Sequence, residues 1–169
     1  MNKSIDIIEK KFDINLEDIY NVYPVLIGKI CQKLNIAVFF DDNMTNDYFG
    51  NIIKNADGCA ININSRHSAQ TNMFTIAHEL GHFTKHHEKL HMIGQFMDRK
   101  SSGYTKEEKQ NERQANDFAA ELLMPSDKFY QVYKENMGDI KKLTEFFMVS
   151  EEVIYFRAVK LGLMFGNYV

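Results

Sequence analysis

Apolar residues recur at helical spacing through the first 35 positions: Ile5, Ile8 and Phe12, then Ile19 and Val22, then Val25, Leu26, Ile30 and Leu34. Such a period predicts amphipathic helices packed on a core, with Pro24 opening one that runs to about Leu34. The period then changes. Ile36 to Phe40 is a short β-rich run closed by Asp41-Asp42-Asn43, which is turn chemistry. Phe49 to Lys54 and Cys59 to Asn64 predict two more strands, and the Asp57-Gly58 pair between them predicts a hairpin. Ile61 and Ile63 alternate with Asn62 and Asn64, so one face of the sheet should be buried and the other polar. A helix is expected from about Ala69 to His87, directly after this small three-stranded sheet.

Residues 88–105 carry little pattern; Met92, Ile93, Phe96 and Met97 suit a short helix or a surface loop held down by four apolar side chains. From Glu112 to Met124 the helical period returns, with Ala115, Phe118, Ala119, Leu122 and Leu123 as the apolar stripe and Pro125 as the stop. Asp139 to Met148 and Glu151 to Leu161 read as helix, turn, helix, with Ser150 as N-cap. Strands grouped early and helices later give an α+β class. We expect one domain over residues 1–169, with residues 139–163 a helix-turn-helix-like tail packed on it.

Composition narrows the function. Hydrophobic residues at 44% and charged residues at 25% describe a globular chain with a core, not a disordered one. A net charge of -3 gives no electrostatic case for nucleic-acid binding. The would-be recognition helix of the tail also opens with Glu151 and Glu152, the wrong sign for phosphates. Cys31 and Cys59 make no C-x-x-C pair and read as reduced, buried thiols. No apolar run approaches the ~18 residues of a membrane span. The opening segment has Asp6 and Glu9 where a signal peptide needs an apolar stretch, so a cytoplasmic location with no membrane partner is expected.

The chemistry is concentrated in His78-Glu79-Leu80-Gly81-His82. Histidines at i and i+4 stand on one helix face and can reach one metal ion, and Glu79 can reach a water beside it: the H-E-x-x-H pattern of zinc hydrolases. The surrounding Met73, Phe74, Ile76, Ala77 and Leu80 make this a buried helix, which has no ordinary reason to carry His, Glu and His together. A catalytic zinc site needs a third protein ligand. Glu112 is a candidate because it shares a helix face with Ala115 and Ala119, small residues that permit close approach to another helix; a solvated glutamate is the alternative. Behind it stand Glu107, Glu108, Asp117 and Glu121. Asn116 can hydrogen-bond a ligand from outside. The longer H-E-x-x-H-x-x-G-x-x-H pattern is absent, since Lys85 and Glu88 occupy its Gly and third His positions. His86, His87 and His91 therefore read as solvated or helix-terminal cations, and with Tyr104 they are weak candidates for an oxyanion donor.

FTIAHELGH followed by ERQANDFAAELLMP resembles the ImmA/IrrE family of metallopeptidases over roughly residues 60–125. The resemblance implies a zincin-like core, zinc held by His78, His82 and Glu112, and Glu79 as catalytic base. It further implies cleavage of a helix-turn-helix transcriptional repressor. Two positions depart from the family pattern: Asn116 stands where many members have Asp, and Asn72 replaces a basic residue often found ahead of the first motif. A His-His-Glu set also accepts manganese and other divalent ions. The rival reading is a regulatory module of the same fold that binds without catalysis or needs a partner to become active.

Overall fold

The computed structural model describes residues 2–56, 58–86 and 105–165. Three helices come first: α1 (Lys3–Phe12), α2 (Glu17–Tyr20) and α3 (Ile27–Lys33). Strands β1 (Ile36–Asp41), β2 (Gly50–Asn55) and β3 (Gly58–Asn64) follow, then α4 (Ala69–His86) and α5 (Lys106–Leu123). The chain continues through α6 (Ser126–Glu135), α7 (Ile140–Phe147) and α8 (Glu151–Lys160). The class is α+β, as the pattern predicts.

The sheet has the order β1-β3-β2, with β3 parallel to β1 and antiparallel to β2. Ile52, Ile61 and Ile63 are fully or almost fully buried on the face that meets α4. The other face carries Phe39 and Ile53, both exposed, and a cross-strand hydrogen bond from Asn62 Nδ2 to Asn51 Oδ1 at 2.9 Å. Glycine lets the end of β2 settle onto α4. A Cβ at Gly50 would lie 2.6 Å from the Asn62 carbonyl oxygen and 3.0 Å from Thr75 Cγ2.

α4 and α5 form the central helix pair, and α1 lies across both. Asn2 and Ser4 bond the Leu122 and Phe118 carbonyls of α5 at 3.0 Å each, while Lys11 Nζ bonds the Thr84 carbonyl of α4 at 2.5 Å. Phe12 stacks on Phe83 with ring centroids 4.9 Å apart. At the far end of α5, buried Arg157 of α8 donates to the Met124 carbonyl through Nε and Nη2, and to Glu121 and Ser126 through Nη2. Leu143, Phe147, Ile154 and Ala158 of the tail are buried in the same core.

Three expectations change. Pro24 does not open a helix: Asn21–Pro24 form a turn, and α3 begins only at Ile27. α5 starts six residues before Glu112, because Thr105 and Glu108 form a reciprocal cap in which each side chain accepts the other's backbone N–H. α6 has no counterpart in the sequence reading; Pro125, read there as a stop, is the N-cap of this next helix. The expectations for Asp57, His87, His91, residues 92–97 and Tyr104 fall outside the described residues.

Candidate metal centre

α4 presents His78 and His82 from its buried side, both at or below 3% exposure, where two imidazoles would be costly without polar partners. Gly81, between them, sets how near α5 comes. A Cβ there would sit 2.9 Å from Ala115 Cα and 3.0 Å from the Ala115 carbonyl oxygen, so the two backbones are in direct contact. Glu112 lies one turn before Ala115 on the same face and is thereby delivered to the histidines. Its two oxygens straddle the rings: Oε2 is 3.3 Å from His78 Nε2 and Oε1 is 3.2 Å from His82 Nε2.

The two Nε2 atoms are themselves 2.9 Å apart. His78 Nδ1 lies 2.9 Å from Asn116 Oδ1. An amide oxygen only accepts, so Nδ1 carries the hydrogen and Nε2 turns its lone pair toward the shared point. Lone pairs converging at this separation repel unless a metal cation lies among them or, in its absence, Nε2 protons are shared with Glu112 and between the rings. Ligands around a tetrahedral zinc with bonds of about 2.0–2.1 Å are roughly 3.3 Å apart, which matches the two Glu112 separations and is somewhat longer than the 2.9 Å between the imidazole nitrogens. The donor set therefore fits a divalent ion, and His78, His82 and Glu112 are the residues that can hold it.

Charge agrees with geometry. Burial raises the Glu112 carboxyl, but the hydrogen bonds and charges of His78 and His82 outweigh it and bring it down to about 2. Glu79 is different: burial pushes its carboxyl up to about 7, with His82 and the Ile52 backbone N–H opposing the rise and Glu112 adding to it. A carboxyl poised near neutrality can take up and release a proton at working pH. The Ile52 contact also locates Glu79. Among the described residues β2 pairs on one side only, so an Ile52 N–H that reaches Glu79 points out from the open edge of the sheet.

Of the residues singled out by spacing, His78, His82 and Glu112 come together and Asn116 stands behind His78. Among the alternatives to Glu112, Asp117 pairs with Lys160 and Glu121 with Arg157. Tyr48 was not anticipated. It is half-buried on the turn leading into β2, close enough to Glu79 that the carboxylate's charge, after burial, helps raise its phenol.

The model of the M78 peptidases, described as an IrrE N-terminal-like domain, matches residues 31–159. The chain belongs to the ImmA/IrrE family. Family membership makes the fold zincin-like and indicates a metallopeptidase. α1 and α2 precede the matched residues, and α1 packs against the α4–α5 pair. Among solved structures, the chain is similar to one named "Mycobacterium tuberculosis transcriptional regulator", with 20% identity and a TM-score of 0.57 over 78% of this chain. At that identity the likeness is one of fold, and the chain spans 39% of the length of that regulator. No curated protein matches this ImmA/IrrE chain in sequence. Among the described residues, no helix is long and apolar enough to cross a membrane.

Proposed function

We propose that this chain is a zinc-dependent endopeptidase of the cytoplasm that cleaves a regulatory protein, specifically a helix-turn-helix repressor. The observation that carries the proposal is the convergence of His78 Nε2, His82 Nε2 and the Glu112 carboxylate, with Glu79 on the next position of the same helix. An ion held by those three side chains would supply Lewis acidity to a scissile carbonyl and acidify a water toward a pKa of about 7. His78 is fixed for this by Asn116, which sets its tautomer and ring orientation. Glu79 takes the proton of the attacking water and delivers it to the leaving amide nitrogen; burial raises its affinity for that proton, and the charge of a bound ion would act against that rise.

Substrate is taken up as an extended segment along the open edge of β2, whose Ile52 N–H already points into the cleft. Backbone pairing of this kind depends little on ionic strength, in keeping with a chain of small net charge. A repressor as substrate rests on the family and on the fold shared with a protein named a transcriptional regulator. A base beside the metal ligands favours catalysis over a purely binding role, which has no use for Glu79.

The test is to incubate the metal-loaded chain with a candidate repressor and follow fragments by mass spectrometry, beside Glu79→Gln with its metal content measured in the same sample. The wild type should cut, and the variant should keep fold and metal but not cut. Equal cleavage by both would remove Glu79 from the base role. Strong loss of repressor binding at high salt, in the absence of DNA, would defeat the edge-pairing mode.

A further inference from the structure

The sheet has two edges, and the proposed reaction uses only that of β2. The other edge is β1, where one bond fixes which backbone groups face outward. Asp41 is in register with Asn64, and its carbonyl accepts from the Ser65 N–H at 3.0 Å. In a parallel ladder that pattern turns Asp41, and with it Phe39 and Ala37, toward β3. The N–H and C=O groups of Ile36, Val38 and Phe40 therefore point out of the sheet. Among the described residues none of them has a hydrogen-bond partner.

Edges of this kind are ordinarily guarded by a lysine, a proline or a bulge. β1 has none of these: it reads Ile36-Ala37-Val38-Phe39-Phe40-Asp41, and its register with β3 is unbroken. It is apolar on both faces as well. Val38 and Phe40 share the inner face with Ile61 and Ile63, while Phe39 lies on the outer face. Phe39 and Phe40 are 56% and 62% exposed. An open edge flanked by two uncovered rings is a surface for association.

β1 fits a second copy of itself. Of the antiparallel registers, the one centred on Val38 pairs all three outward-pointing residues: Val38 meets Val38, and Ile36 meets Phe40. Each such pair exchanges both of its N–H···O bonds. On the outer face Phe39 of each copy comes beside Ala37 of the other. Like charges stay apart and opposite ones approach, since Asp41 and Asp42 of one copy reach the end of the strand where exposed Lys33 of the other closes α3.

We propose that β1 is a self-association edge, through which two copies of this chain pair antiparallel about Val38 into one sheet of order β2-β3-β1-β1-β3-β2. Both β2 edges, with the metal centres beside them, stay at the two outer ends and open to substrate. The contact is one short strand wide, below the ~1,200–2,000 Å² of stable interfaces, so association is weak and rises with concentration. It does not depend on the peptidase reading.

Sedimentation velocity of the metal-loaded full chain over roughly 5–500 µM should show monomer giving way to dimer. Val38→Pro removes the N–H at the centre of the pair without breaking a β1–β3 bond, and Phe40→Lys places a guarding charge on the edge. Each should weaken dimerisation about 10-fold or more, with thermal unfolding of the monomer close to wild type. A wild type that stays monomeric throughout would overturn the proposal. So would a dimer that persists in both variants, or one lost with Phe40→Lys but kept with Val38→Pro, which would be a contact of rings and not of paired strands. If Val38→Pro does not fold, Val38→Cys replaces it. Oxidation should then give a dimer linked through position 38, because directly opposed Cα atoms lie about 5.5 Å apart, within disulfide reach. A dimer linked elsewhere, or no linked dimer, would refute the register.

Discussion

Gly81→Ala probes the contact that brings the third donor to the histidines. The added methyl would sit 2.9 Å from Ala115 Cα, 3.0 Å from its carbonyl oxygen and 3.3 Å from its Cβ. Two of these three are backbone atoms of a packed helix, so α4 and α5 must separate by a few tenths of an ångström or more. Overpacking of this kind costs about 1–3 kcal/mol. The substitution also recovers up to about 1 kcal/mol, because alanine is the better helix former. With about 2 kcal/mol as the mid-range cost and about 1 recovered, the net loss is about 1 kcal/mol, or a melting temperature lower by roughly 2–4 °C for a chain of this size. Gly28→Ala in α3 is the control, since a Cβ there meets nothing within 4 Å; it should be neutral or slightly stabilising. Urea unfolding of the metal-free proteins measures both, and chelator competition should show weaker metal binding for Gly81→Ala as Glu112 is carried away from the rings. Stability equal to or above wild type for Gly81→Ala would refute the claim that helix contact at this point positions Glu112.

Three further outcomes follow from the same structure. Asn116→Ala should lower metal affinity roughly 10- to 100-fold with the fold intact, measured by chelator competition, while Asn116→Asp should restore binding; equal affinity in all three would remove Asn116 from the site. Arg157→Met leaves Glu121 and the Met124 carbonyl without their buried partner. That should cost about 3–5 kcal/mol in urea unfolding, with part recovered by adding Glu121→Gln; a loss below about 1 kcal/mol would show the pair to be dispensable. Burial pushes the Cys31 thiol up to about 12, and Cys59 is raised but less buried. Iodoacetamide at pH 8 should therefore modify Cys59 first and Cys31 faster only as pH rises, because the thiolate is the reacting form; equal rates in the native protein would contradict this.

The strands and the metal helix were legible because each rests on local chemistry. Alternation at Ile61 and Ile63 marked a half-buried strand, and His78 with His82 carried helical spacing inside an apolar run. Glu112 was legible only as a candidate. Its alanine-lined face signalled a close neighbour, but which helix would approach depends on the meeting of Gly81 and Ala115, 34 positions apart in the chain. α6 was missed because Pro125 ends one helix and caps the next, and only Phe129 and Val132 of its ten residues are buried, too few to declare a period. Pro24 misled for the opposite reason: a residue suited to a helix start also suits the turn it occupies. Tyr48 had no local signal. Its carbonyl is held by Asn64 and His67 while Gly50 brings the start of β2 against Thr75 of α4, contacts that no spacing encodes.

The central claim is that one metal ion sits among His78, His82 and Glu112. The most direct measurement is metal stoichiometry by plasma mass spectrometry after dialysis against equimolar zinc and manganese, for the wild type, Glu79→Gln, His82→Ala and Glu112→Ala. The account predicts about one equivalent of zinc in the wild type and in Glu79→Gln, and little or none in the other two. Full metal content in Glu112→Ala, or a wild type that retains no metal, would contradict it.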